Sequence, residues 1–146
     1  MNARLHLAFT SVSAVVVALT LFWGFFLVGS PSTRRQQRFD EQRLRDLQNI
    51  AQAIQILVED PNEKGKLKAP LPPTLADASR ENQGALMNLF DPETGVEYVY
   101  RVKEDGTYDL CATFSEARHS TESVFWNHPA GEHCFTINPA DPPPFY

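Results

Sequence analysis

Residues 7–29 carry no charged side chain, and the run includes Val15-Val16-Val17 and Leu21-Phe22-Trp23-Gly24-Phe25-Phe26-Leu27-Val28. About 23 such residues form a helix of roughly 35 Å, enough to cross a hydrocarbon core of ~30 Å. The stretch therefore reads as a transmembrane helix over 7–29, preceded by a short tail over 1–6. A cleaved signal peptide is the rival reading, because Arg4 precedes the run and Gly29 and Ser30 end it. A signal h-region is ordinarily only about 7–15 residues long, so length favours a retained anchor.

What remains of the 146 residues has room for one domain with a modest core. A formal net charge of -5 argues against nucleic acid as a partner. The lipid bilayer, through residues 7–29, and other membrane or envelope proteins are the expected partners. Trp23, Phe25 and Phe26 within the span, and Arg34 and Arg35 at the headgroups, are the expected anchor residues. Oligomeric state is not legible.

Two arguments oppose each other over sidedness. Arg34, Arg35 and Arg38 follow the span, with Arg43 and Arg45 beyond, and the positive-inside rule places such a cluster in the cytoplasm. The cysteines, Cys111 and Cys134, each sit in an apolar, strand-like run. A bridge between them would close a loop of about 23 residues and contribute ~3 kcal/mol in the loop-entropy model, which points to an oxidising compartment. Two buried free thiols are the alternative.

Beyond the span the pattern predicts an α+β domain. Residues 30–60 read as an amphipathic helix, with Leu44, Leu47, Ala51, Ile54 and Val58 on one stripe widened by Ile50 and Leu57. Arg43, Asp46, Gln48, Asn49, Gln52 and Gln55 are expected on the opposite, polar surface. Asp60-Pro61-Asn62 ends the helix. Residues 61–138 form the body: an extended connection over 64–73, one or two helical turns within 74–90, and a turn at Asp91-Pro92-Glu93-Thr94-Gly95. A strand over 96–102 should follow, with Val96, Tyr98, Tyr100 and Val102 on one face. Lys103-Glu104-Asp105-Gly106 has hairpin chemistry, and Tyr108, Leu110, Ala112 and Phe114 continue the alternation on a second, antiparallel strand. Cys134-Phe135-Thr136-Ile137 suits a further short strand. Residues 139–146 form a proline-rich tail, docked on this domain or on a partner.

In this order the chain resembles type IV pilin-like and pseudopilin-like proteins. The resemblance is carried by the hydrophobic helix running into an amphipathic one, Arg45-Asp46-Leu47-Gln48-Asn49-Ile50, the step Leu71-Pro72-Pro73-Thr74-Leu75, and the turn at 91–95 leading into Val96-Glu97-Tyr98-Val99-Tyr100. It implies an antiparallel sheet packed on the helix, and a domain on the periplasmic, extracytoplasmic side of a bacterial inner membrane. The family's basic leader with a Gly-Phe cleavage point and a glutamate five residues into the mature helix has no counterpart, since Gly24-Phe25 lies deep in the apolar run. Processing and filament assembly are therefore not expected.

Chemistry is sparse. His119, His128 and His133 lie near Cys134, Glu122 and Glu132, but their spacing matches no regular zinc pattern, and a solvated loop is the expected reading. No nucleophile elbow, Cys-x-x-Cys, His-Glu-x-x-His or phosphate loop occurs. Catalytic, cofactor and metal residues are accordingly expected to be none. The leading expectation is a non-enzymatic, membrane-anchored scaffold or interaction protein of a cell-envelope assembly. An accessory single-span subunit of an energy-converting membrane complex, with Phe22 and Trp23 packed on neighbouring helices, is the second. A His-containing metal-dependent enzyme is the third.

Overall fold

The uncharged run and the amphipathic run each form a helix: neither has an internal proline, the first is apolar all round, and the second keeps helical spacing of its apolar positions. The computed structural model describes residues 3–28, 31–63, 65–82, 87–122 and 124–144. Its compact units are Met1–Arg35 and Gln36–Tyr146. The first contains α1 (Ala3–Val28) and the start of α2 (Pro31–Val58). In α1 the Thr10 hydroxyl donates to the His6 carbonyl at 3.0 Å and the Thr20 hydroxyl to the Val17 carbonyl at 2.9 Å, so both are satisfied within the helix.

Among the described residues no helix is long and apolar enough to cross a membrane. The side chains of Phe25 and Phe26 lie outside the described residues. The anchor over 7–29 therefore rests on the sequence.

The second unit is α+β. Leu47, Ile50, Ala51, Ile54 and Val58 of α2 are buried almost completely, as their spacing predicts. They share one core with Tyr108, Leu110, Phe114, Phe135 and Ile137 of a three-stranded antiparallel sheet. Its strands are β1 (Val99–Val102), β2 (Tyr108–Phe114) and β3 (Gly131–Ile137), in the order β1-β2-β3. Val99 faces Cys111 at one end of the β1/β2 pair and Val102 faces Tyr108 at the other, while Tyr108 faces Ile137 and Cys111 faces Cys134 across β2/β3. The hairpin loop turns on Gly106 at φ 82, where Asp105 accepts from the Thr107 amide and hydroxyl.

A short helix, α3 (Leu75–Glu81), is capped by Thr74, whose Oγ1 accepts from the Asp77 amide at 3.1 Å, and it buries Leu75 and Ala78. These seven residues, about two turns, are the helix expected within 74–90; Leu86 lies outside the described residues. Tyr100 pins the proline step before α3 through its hydroxyl, which donates to the Pro72 carbonyl at 2.9 Å.

Two strand boundaries differ from the sequence reading. β1 starts at Val99, where the pairing with β2 ends; residues 96–98 pair on their other edge with the limb entering the turn, the Asp91 amide donating to the Val96 carbonyl and the Tyr98 amide to the Leu89 carbonyl. Of the face predicted for 96–102, Tyr98 is buried and Tyr100 half-buried, whereas Val96 is 65% exposed. β3 is longer than expected, beginning at Gly131, whose φ of 98 suits a residue without a side chain. The tail docks on its own domain: Pro139 is buried, and the indole of Trp126 donates to the Pro144 carbonyl at 2.6 Å. Phe145 and Tyr146 lie outside the described residues.

Candidate functional site

Arg43 is the largest departure from the amphipathic pattern. The sequence places it on the polar surface of α2, yet its side chain is only 3% exposed. Position 43 precedes Leu47, Ile50, Ile54 and Val58 at helical spacing, so it extends the inward stripe with a charged residue. The charge is tolerated because the guanidinium meets carboxylates on three sides. Nε and Nη2 donate to the two oxygens of Asp91, Nη1 donates to Asp40 at 2.8 Å, and Nη2 donates to Glu93 at 2.7 Å. Such a two-pronged pairing uses the fixed fork of the guanidinium.

The carboxylates are themselves organisers of the backbone. Asp91 Oδ1 accepts from the amides of Glu93 and Thr94 at 2.9 Å, closing the turn that Asp-Pro at its start predicts. Asp40 accepts from the amides of Ser115 and Glu116, just past the end of β2. One arginine on α2 thus joins the turn before β1 to the exit of β2. Burial works against the charge on Arg43, but its hydrogen bonds to Asp91, Glu93 and Asp40 outweigh it and raise its pKa. For Asp91 burial pushes the pKa up, and the Arg43 guanidinium with the Thr94 and Glu93 amides brings it down to about 2.

A pH dependence follows. Asp91 has a folded pKa below its unfolded value, so its stabilisation is present above about pH 4 and is lost as pH falls towards about 2. Urea unfolding at stepped pH should lose on the order of 2 kcal/mol across that window through this group. An Asp91→Asn chain should show a flatter acid limb; an unchanged limb would remove Asp91 from the account.

Asp46, also expected at the surface, is 7% exposed. Burial raises its pKa, opposed by hydrogen bonds from Asn88 at 2.8 Å and the Tyr98 hydroxyl at 3.1 Å. Gln55 is likewise buried, with its amide donating to Glu59 at 2.6 Å, while Asn49 and Gln52 are exposed as expected.

Beside the Arg43 cluster a groove of about 420 Å³ opens between residues 96–99 and the end of β2. Val96, Val99, Ala112 and Phe114 line it, with Glu93, Glu97 and Glu132 among its acidic residues.

Cys111 and Cys134 are joined by a disulfide, directly opposite one another on β2 and β3, with Cα atoms 4.0 Å apart. The histidines are not gathered. The His128 ring stacks on Phe114 at 3.6 Å between centroids, and its Nδ1 lies 3.1 Å from the Pro129 carbonyl, to which it donates. Burial lowers its pKa, which favours the neutral imidazole. His133 meets the edge of Phe135, and His119 is exposed. Among the described residues no three metal-binding side chains are grouped to hold an ion. Of the expected anchor residues, Trp23 is 66% exposed, and Arg34 and Arg35 are exposed.

No protein family, curated protein or solved structure matches this chain.

Proposed function

We propose that the chain is a membrane-anchored, non-enzymatic interaction protein of a cell-envelope assembly, pilin-like in its order of elements, with its disulfide-stapled domain on the oxidising side of a bacterial inner membrane. The observation that carries this reading is the pairing of an uncharged helical run with a separate unit that holds a cross-strand disulfide. Phe9, Val16, Phe22 and Trp23 are each more than half exposed, an apolar display that a bilayer covers without cost. The hydroxyls of Thr10 and Thr20, satisfied by helix carbonyls, fit the same solvent. A bridged Cys111–Cys134 pair favours an extracytoplasmic domain over the cytoplasmic side suggested by the arginines at 34, 35 and 38.

Membrane extraction tests the anchor. The chain should stay with membranes through alkaline carbonate washing and float with phospholipid vesicles. Val16→Arg should weaken that retention, since a central arginine costs about 2.5–3.5 kcal/mol on insertion scales. Release of the unaltered chain by carbonate would overturn the anchor. Thiol labelling in intact cells tests the side: Cys111 and Cys134 should react only after reduction and denaturation, and labelling without reductant would overturn the extracytoplasmic placement.

A further inference from the structure

β2 is longer than the strand that covers it. Its residues 108–111 pair with β1, whereas 108–114 pair with β3, so 112–114 have no strand beside them on the β1 side among the described residues. The register that sets Val99 opposite Cys111 would place Glu97 opposite Thr113, but the ladder ends at Val99, and the bridge of Glu97 to Phe90 lies on the other edge of 96–98, away from β2. The sheet therefore splays, and the groove of about 420 Å³ is the splay.

Backbone direction can be read from the cysteines. Opposed residues about 4.5 Å apart form the pair that exchanges no hydrogen bonds, and those about 5.5 Å apart form the bonded pair. Cys111 and Cys134 stand 4.0 Å apart, so the amide and carbonyl of Cys111, and by alternation those of Thr113, point away from β3. At Cys111 they meet β1; at Thr113 they meet the groove.

We propose that the groove takes an extended segment of a partner polypeptide, which adds as a short strand to the free edge of β2 at 112–114 and carries a lysine or arginine beside small apolar residues. Main-chain bonding at Thr113 supplies the docking, as in other cases of strand addition. Val96, Val99 and Ala112 suit small apolar side chains. The charge requirement comes from the lining: Glu97 and Glu132 are exposed carboxylates outside the cluster in which Arg43 is engaged by Asp40, Asp91 and Glu93. An acidic segment would meet repulsion there, and a basic one a complementary field.

This inference deepens the interaction reading by naming a partner chemistry, and it lies wholly in the second unit. Vesicle retention lost with peptide binding intact would overturn the anchor alone, and the converse would overturn the groove alone. The experiment uses the full chain, isotope-labelled, in neutral detergent micelles, titrated with acetyl-Lys-Val-Thr-Val-Lys-amide. Saturable shifts of the Thr113 and Val99 amides are expected. The peptide with glutamates in place of lysines should bind at least about tenfold more weakly, as should the lysine peptide N-methylated at its threonine. Glu97→Gln combined with Glu132→Gln should weaken the lysine peptide about fivefold or more without changing the melting temperature. Equal binding of both peptides, or no saturable shift at Thr113 up to about 5 mM, overturns the proposal. Concentration-dependent shifts of the same amides without peptide would assign the groove to a second copy and overturn it too.

Discussion

Arg43→Met is expected to destabilise the second unit by about 3–5 kcal/mol, because it leaves Asp40 and Asp91 buried without their cation. The methionine roughly fills the volume of the lost stem, so the effect isolates charge from packing. For a domain of this size each kcal/mol corresponds to about 4–8 °C, and the melting temperature should fall by more than about 12 °C. Asp91→Asn added to Arg43→Met should recover part of the loss by removing one uncompensated carboxylate; Asp91→Asn alone should destabilise. That inversion of sign is specific to a coupled cluster. Urea melts at neutral pH in one detergent measure all three chains. A loss below about 1 kcal/mol for Arg43→Met would mean that the carboxylates find water instead.

Removing the disulfide comes second. The bridge closes a separation of 23 residues, and Cys111→Ala with Cys134→Ala should cost about 3 kcal/mol, mainly by releasing the unfolded chain. Cys111 is 2% exposed, so alanine also leaves a small void at the sheet. Reduction of the unaltered chain should lower stability by a similar amount, since loop entropy depends on the bond and not on the sulfur atoms. Agreement between the two within about 1 kcal/mol supports the entropic account; a much larger loss in the alanine chain would assign the effect to packing.

Much of the architecture was legible because it follows from periodicity. The α2 stripe, the 108–114 alternation and the loop at Gly106 each rest on local rules that the tertiary structure did not override. The shortening of β1 was not legible. Residues 96–98 alternate properly for a strand, but their pairing is with 89–91 on one edge and the ladder to β2 ends at Val99, and no local rule says where a ladder between two suitable strands stops. Arg43 and Asp46 were misplaced for a related reason: a polar residue at an inward position looks like a surface residue until its partner is known. The spacing of Arg43 to Leu47, Ile50 and Ile54 was the available signal, together with the unassigned acids of the 91–95 turn. In the groove, the run of lining residues from 96 to 99 was visible as sequence, but its separation from 112–114 depends on pairing that only the fold reveals.

The Arg43 cluster also has a mechanical meaning. Within the second unit, the Asp40 and Arg43 bonds lie on α2 ahead of the apolar stripe at 44–58, so tension applied to the helix from residue 36 onward would reach them first. Those bonds run to two separate places, the 91–95 turn and the backbone at 115–116, so a pull along the helix loads them together and not one after another. A clamp loaded in parallel resists steady force better than a seam that unzips. Within the second unit, a pull on α2 would thus meet a polar clamp before it met the apolar stripe.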